Sequence, residues 1–152
     1  MNIYEELRER ALHMKPNDIG MDWESDSPYG VIMDWAFPDA TATLVTFAEG
    51  DASLYLSSGG GVIGGGPRPN VNAAARKFVG IAADLEDAFG PGDIALPSAD
   101  QIRFHALTLS GIRTAKANLP DMEARSPLST LFRYANEVIT QLRHVSDNLG
   151  VK

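Results

Sequence analysis

The stretch from Ser57 to Asn70, Ser-Ser-Gly-Gly-Gly-Val-Ile-Gly-Gly-Gly-Pro-Arg-Pro-Asn, holds six of the chain's fourteen glycines. Glycine lets backbone amides approach a ligand closely, and the start of a following helix attracts anions. A strand, a glycine loop, Arg68 and a helix start are the ingredients of a phosphate cradle. Gly60, Gly61, Gly64, Gly65 and Arg68 are therefore candidate ligand- or partner-binding residues. No Gly-Lys-Ser/Thr follows the run, so it is not a P-loop. Gly59, Gly61 and Gly64 match G-x-G-x-x-G, but glycine-rich sequence makes that match nearly automatic, and Pro67 and Pro69 separate it from the helix. The simpler expectation is a flexible or edge segment in which Val62-Ile63 forms a short extra strand.

Two further residues join the candidate set. Asp34 interrupts an otherwise apolar strand, and a carboxylate covered on both sheet faces needs a partner. Exposure on an open sheet face is the expected reading, with a ligand-facing or interface carboxylate as the alternative. His105 shares a predicted strand face with Arg103 and reads as a partly covered, hydrogen-bonded surface histidine. His13 and His144 lie far from it in sequence, without H-x-x-x-H or H-E-x-x-H spacing, and read as exposed helix residues. Asp22, Glu24 and Asp26 alternate as Ca²⁺ ligands do, but Ser27 and Met33 stand where an EF-hand loop needs Gly and Glu. No serine sits in a G-x-S-x-G elbow. The expectation is no catalytic residue, no metal ligand set and no cofactor.

The elements that must position these residues follow from periodicity. Ile3, Leu7, Ala11 and Met14 predict a first helix over about Ile3 to Met14, stopped by Pro16. Tyr29, Val31, Met33, Trp35 and Phe37 alternate and share one face of a strand, with Gly30, Ile32, Asp34 and Ala36 on the other. Thr41 to Ala48 and Ala52 to Ser57 are two more strands, joined by short turns into an antiparallel meander. A second helix runs from Asn70 or Val71 to Phe89, with Asn70 as N-cap and Gly90-Pro91-Gly92 as its stop. Gly80 inside it suggests a close backbone contact with the sheet. Gln101 to Leu109 and Ile112 to Asn118 form a further pair of strands. Ser126 caps a last helix that starts at Pro127, runs to about Asn148 and is closed by Gly150. Trp23, Tyr29, Trp35 and Tyr55 read as packing residues.

The fold class is thus α+β: a single domain over residues 1–152, in the order α-βββ-α-ββ-α, with an antiparallel sheet covered by helices. In element order only, it resembles the profilin-like and roadblock-like group of small α+β folds.

Composition bounds the function. The chain has 152 residues, no cysteine and a formal charge of −7. Zero Cys removes disulfides, thiolate metal sites and thiol nucleophiles, and fits a cytoplasmic location. The charge argues against broad binding to nucleic acid or anionic lipid. It is unevenly spread: residues 1–66 hold eleven acids and three bases, net −8, and residues 67–152 hold nine acids and ten bases, net +1. An acidic meander face is expected from this, and anion binding, if any, belongs to the second half. Met1 to Met14 carries three glutamates and no apolar run of roughly 7–15 residues, so it does not read as a signal peptide. No stretch reaches about 18 apolar residues. The expected function is a non-catalytic cytosolic binding or interaction module, of immunity or regulatory type, acting on a protein partner or a small molecule. The alternative is a small enzyme or phosphate-ligand binder using the Gly59–Gly66 loop and Arg68. The wide apolar stripe of the last helix also suggests a homodimer.

Overall fold

The computed structural model describes residues 2–123 and 125–148. Helix α1 spans Ile3–Leu12, and the Asn2 side-chain oxygen caps it by accepting from the Glu5 amide at 2.8 Å. Strands β1 (Gly30–Ala36), β2 (Thr41–Phe47) and β3 (Ala52–Leu56) form the meander. The glycine run holds a two-residue strand, β4 (Gly61–Val62), which pairs with β3. Helix α2 (Pro69–Asp84) is followed by a short 3-10 turn and the two-residue strand β5 (Gly90–Pro91). Strands β6 (Gln101–Thr108) and β7 (Gly111–Asn118) form a hairpin, and helix α3 (Pro127–Asn148) comes last. All seven strands join one antiparallel sheet in the order β4-β3-β2-β1-β6-β7-β5. The protein is an α+β domain with the expected element order and two short strands added.

Alternation in β1 decides the layers. Val31 and Met33 point to the face covered by α2 and α3, where they pack with Phe78, Phe104, Leu131 and Leu142. Ile32 points to the opposite face, where it meets Ala11 and Leu12 of α1 together with Val45, Phe47 and Leu107. Both faces of the central strand are therefore covered, so a polar side chain there has no water to turn to. In α3, Leu131, Ala135, Val138 and Leu142 are fully buried. Burying each Leu or Val side chain in such a seam contributes roughly 1.5–3 kcal/mol. These four residues pack against α2 and the sheet. The Ser126 cap forms as expected, with the Ser129 amide donating to Ser126 Oγ and the Ser126 amide to Ser129 Oγ. The expected stop at Gly150 lies outside the described residues.

Several boundaries differ from expectation. Helix α1 ends at Leu12 rather than Met14. Helix α2 starts at Pro69, with Arg68 rather than Asn70 in the N-cap position and no side-chain cap. Proline suits the first helical position because it has no amide to leave unpaired. The helix ends at Asp84, five residues before Phe89, and the chain then tightens into the 3-10 turn. Gly80 makes no close sheet contact: a Cβ built there meets nothing within 4 Å. The meander also has no acidic face. The only acid within its three main strands, Asp34, is buried, and the exposed acids lie on α1 (Glu5, Glu6, Glu9), in the loop before β1 and at the turns.

The two glycines of contrasting environment predict opposite responses. Gly80→Ala should stabilise the protein by about 0.5–1 kcal/mol, because it removes unfolded-state freedom without a clash. A Cβ on Gly65 would lie 2.6 Å from Leu142 Cδ2 and 2.9 Å from Val71 Cγ1. Gly65→Ala should therefore destabilise by about 1–3 kcal/mol through overpacking. Urea unfolding of both variants checks the pair.

Candidate functional site

Asp34 and His105, singled out by sequence, do meet, and they meet under α1. Asp34 lies at the middle of the sheet on the α1 face and has no exposed surface. Its Oδ2 accepts from Arg8 Nη2 at 2.7 Å and lies 3.0 Å from His105 Nε2. Its Oδ1 accepts from Arg8 Nε at 3.1 Å and from the Thr43 hydroxyl at 2.7 Å. Both oxygens are thus doubly satisfied. The Thr43 proton is committed to Asp34, so the Tyr4 hydroxyl, 2.6 Å from Thr43 Oγ1, is the donor of that contact. On the other side, His105 Nδ1 lies 3.0 Å from Thr114 Oγ1, which also accepts from the Asp93 amide. With the ring proton on Nε2, Thr114 donates to Nδ1 and every partner is satisfied.

These positions correct two expectations. Asp34 is not exposed on an open face, and His105 is not at the surface; both are fully buried. The reason is α1, which closes the sheet face through Arg8. Neither Arg8 nor Tyr4 was a candidate. The signal available in the sequence was an arginine four residues after a tyrosine, on the helix side that also carries Ala11.

Burial by itself raises the Asp34 carboxyl, but hydrogen bonds from His105 and Arg8 and the Arg8 charge outweigh it and hold the group at about 2. Burial likewise opposes the charge of Arg8, and Asp34 more than restores it. Burial pushes the Tyr4 hydroxyl up. The constellation resembles acid–base machinery in residue type only. Arg8 is 8% exposed and the other partners less, and the segment after β5 closes the remaining side. That segment is fixed by Arg8 Nη2 donating to the Ile94 carbonyl at 2.6 Å and by Arg103 Nη1 donating to the Ala95 carbonyl.

The glycine candidates are spread around one sheet edge. Gly60 lies in the β3–β4 turn with φ +84, a conformation that favours glycine, and Gly61 pairs with Tyr55. Gly64 donates to Ser53 Oγ at 3.0 Å. Gly65 is buried against Val71 and Leu142, and Arg68 is exposed at the start of α2. Helix α2 covers the face opposite α1. The sheet therefore separates Arg68 from Asp34 and His105, and the candidates do not line one cleft. His13 is exposed beside Glu9, and His144 is exposed on α3. Among the described residues, no group of three or more His, Asp or Glu could hold a metal ion. No described helix is long and apolar enough to cross a membrane.

An open groove of about 610 Å³ lies between the start of α1 and the β3–β4 turn. Asn2, Ile3, Tyr4, Glu6 and Leu7 form one wall. Tyr55, Leu56, Ser57, Ser58, Gly59 and Gly60 form the other. Sequence pattern had marked the glycine side but not the helix side. Tyr4 links groove and cluster, because it borders the groove while its hydroxyl bonds Thr43.

Asp34→Asn should destabilise by about 3–5 kcal/mol, because it leaves the Arg8 charge buried without its partner. The folded-state carboxyl titrates below its ordinary value of 3.8, so protons bind the unfolded state more readily. Its contribution, about 2 kcal/mol, is therefore complete above about pH 4 and fades as pH falls toward 2. Urea unfolding between pH 7 and 2 should show this loss in the wild type and a flatter profile in Asp34→Asn. No protein-family model, no curated protein and no solved structure matches the chain.

Proposed function

We propose that the protein is a non-catalytic cytosolic binding module, of immunity or regulatory type, and that its groove takes a basic segment of a partner protein. The observation that carries this reading is the groove's lining. Tyr55 supplies rigid amphipathic surface above the buried Tyr4 ring, and Asn2, Ser57, Ser58 and the two glycines supply adaptable hydrogen bonding. Protein-recognition surfaces favour this combination, because tyrosine contributes area at low entropic cost. Glu6 is the charged residue of the lining, and Glu5 and Glu9 stand exposed on the same helix. A cationic side chain is the complementary occupant, steered by the acidic first half of the chain. Closure of the Asp34 cluster supports a non-catalytic role, since a general acid or base must reach its substrate.

The alternative, a phosphate-ligand binder built on the glycine loop and Arg68, has less support. Gly65 is committed to packing and Gly64 to the β3 hydroxyl of Ser53. Arg68 stands across the sheet from the buried histidine and carboxylate.

Selection from a displayed random-peptide library on the full chain should return Lys- and Arg-rich sequences with apolar neighbours. Their affinity should fall with added salt. Glu6→Lys should weaken them by about tenfold or more, equivalent to roughly 1.4 kcal/mol. Selected peptides without basic bias, or indifferent to both Glu6→Lys and Tyr55→Ala, would sink this reading.

A further inference from the structure

A second polar site lies at the other end of the sheet. In the β6–β7 register Arg103 stands directly opposite Lys116, and Gln101 directly opposite Asn118. Alternation puts all four side chains on the α1 face. Like charges directly opposite each other across a strand pair are destabilising, so an anion is needed between them. Asp93 supplies one: its carboxylate contacts Lys116 Nζ at 2.5 Å and Arg103 Nη1 at 3.4 Å. Lys116 foremost, then the Ala95 amide, holds the Asp93 carboxyl below its ordinary value. Two cations still face one carboxylate. The other near acid, Asp34, is already matched by Arg8.

The donors are not used up either. Arg103 Nε is buried without a hydrogen-bond partner. Beside it opens a depression of about 320 Å³ lined by Gln101, Ile102, Arg103, Lys116, Ala117 and Asn118. Two cations with surplus charge and two side-chain amides around one open hollow form a set rich in donors.

We infer that Arg103, Lys116, Gln101 and Asn118 form a binding site for a small oxyanion, the phosphate or carboxylate group of a soluble ligand. Arginine offers planar paired donors, lysine a mobile point charge, and the two amides complete the fourth side. The site lies in the half of the chain that carries net +1, and away from Arg68. It is independent of the groove near α1.

The test is an amide NMR titration of the full chain with inorganic phosphate and, separately, acetate, at constant ionic strength with chloride as control. Saturable shifts confined to residues 101–103 and 116–118 are expected, and the anion that saturates first identifies the ligand class. Lys116 is half exposed, so Lys116→Met should keep the fold, shown by an unchanged spectrum elsewhere, while weakening binding about tenfold. Asp93→Asn frees Lys116 and raises the local charge by one, so it should tighten binding. The inference is overturned if neither anion gives saturable shifts in the wild type and in Asp93→Asn. It is equally overturned if Lys116→Met binds as the wild type does.

Discussion

A single carboxylate in the central strand, Asp34, sets how the α1 face of the sheet is built. An ionised group without solvent access is tolerated only when its acceptor positions are filled. Here the four donors come from three elements: Arg8 with two nitrogens from α1, Thr43 from β2, and His105 from β6. The requirement of one side chain thus fixes a helix and two neighbouring strands relative to β1. Arg8 extends the constraint to the segment after β5 through the Ile94 carbonyl. His105 extends it to β7 through Thr114. A buried ion pair of this kind is weak evidence for high stability, but breaking it is costly, so it specifies how α1 docks.

That docking also creates the groove. Helix α1 sits with Tyr4 anchored on Thr43, and its first turn faces the β3–β4 turn across the groove. Helix α1 thus covers His105 and Asp34, while Ser57, Ser58, Gly59 and Gly60 across the groove stay exposed. The residues most reactive by type are enclosed, and those suited to adaptable contact are exposed. The opposite face is simpler: α2 and α3 bury an apolar layer on Val31, Met33 and Phe104.

Much of this order was legible in the residues. Strand alternation assigns Val31, Met33 and Trp35 to one face of β1 and Ile32 and Asp34 to the other, as observed, whereas Tyr29, just outside β1, packs with Ile32 instead of with Val31. The Ser126-Pro127 start of α3 agrees to the residue. Local signals carried these features, since period and capping act over a few neighbours. Helix α2 departs from the sequence expectation at both ends. Proline at the first position replaced the asparagine cap, and the helix gave way to a 3-10 turn before its expected glycine stop. Gly80 makes no sheet contact, since a glycine's position in a helix does not fix its neighbours.

By itself, the sequence determined the α+β class, the element order, the sidedness of β1 and the uneven charge, because these depend on period, turn residues and composition. Tertiary structure alone decided that β6 lies beside β1, and so that His105 reaches Asp34 across 71 positions. It alone decided that Arg8 closes the cluster, that Arg68 lies on the other side of the sheet, and that Arg103 and Lys116 stand face to face. Each of these depends on which strands pair and which face a helix covers. Such non-local choices arise from burying the whole apolar surface at once, and no short segment encodes them.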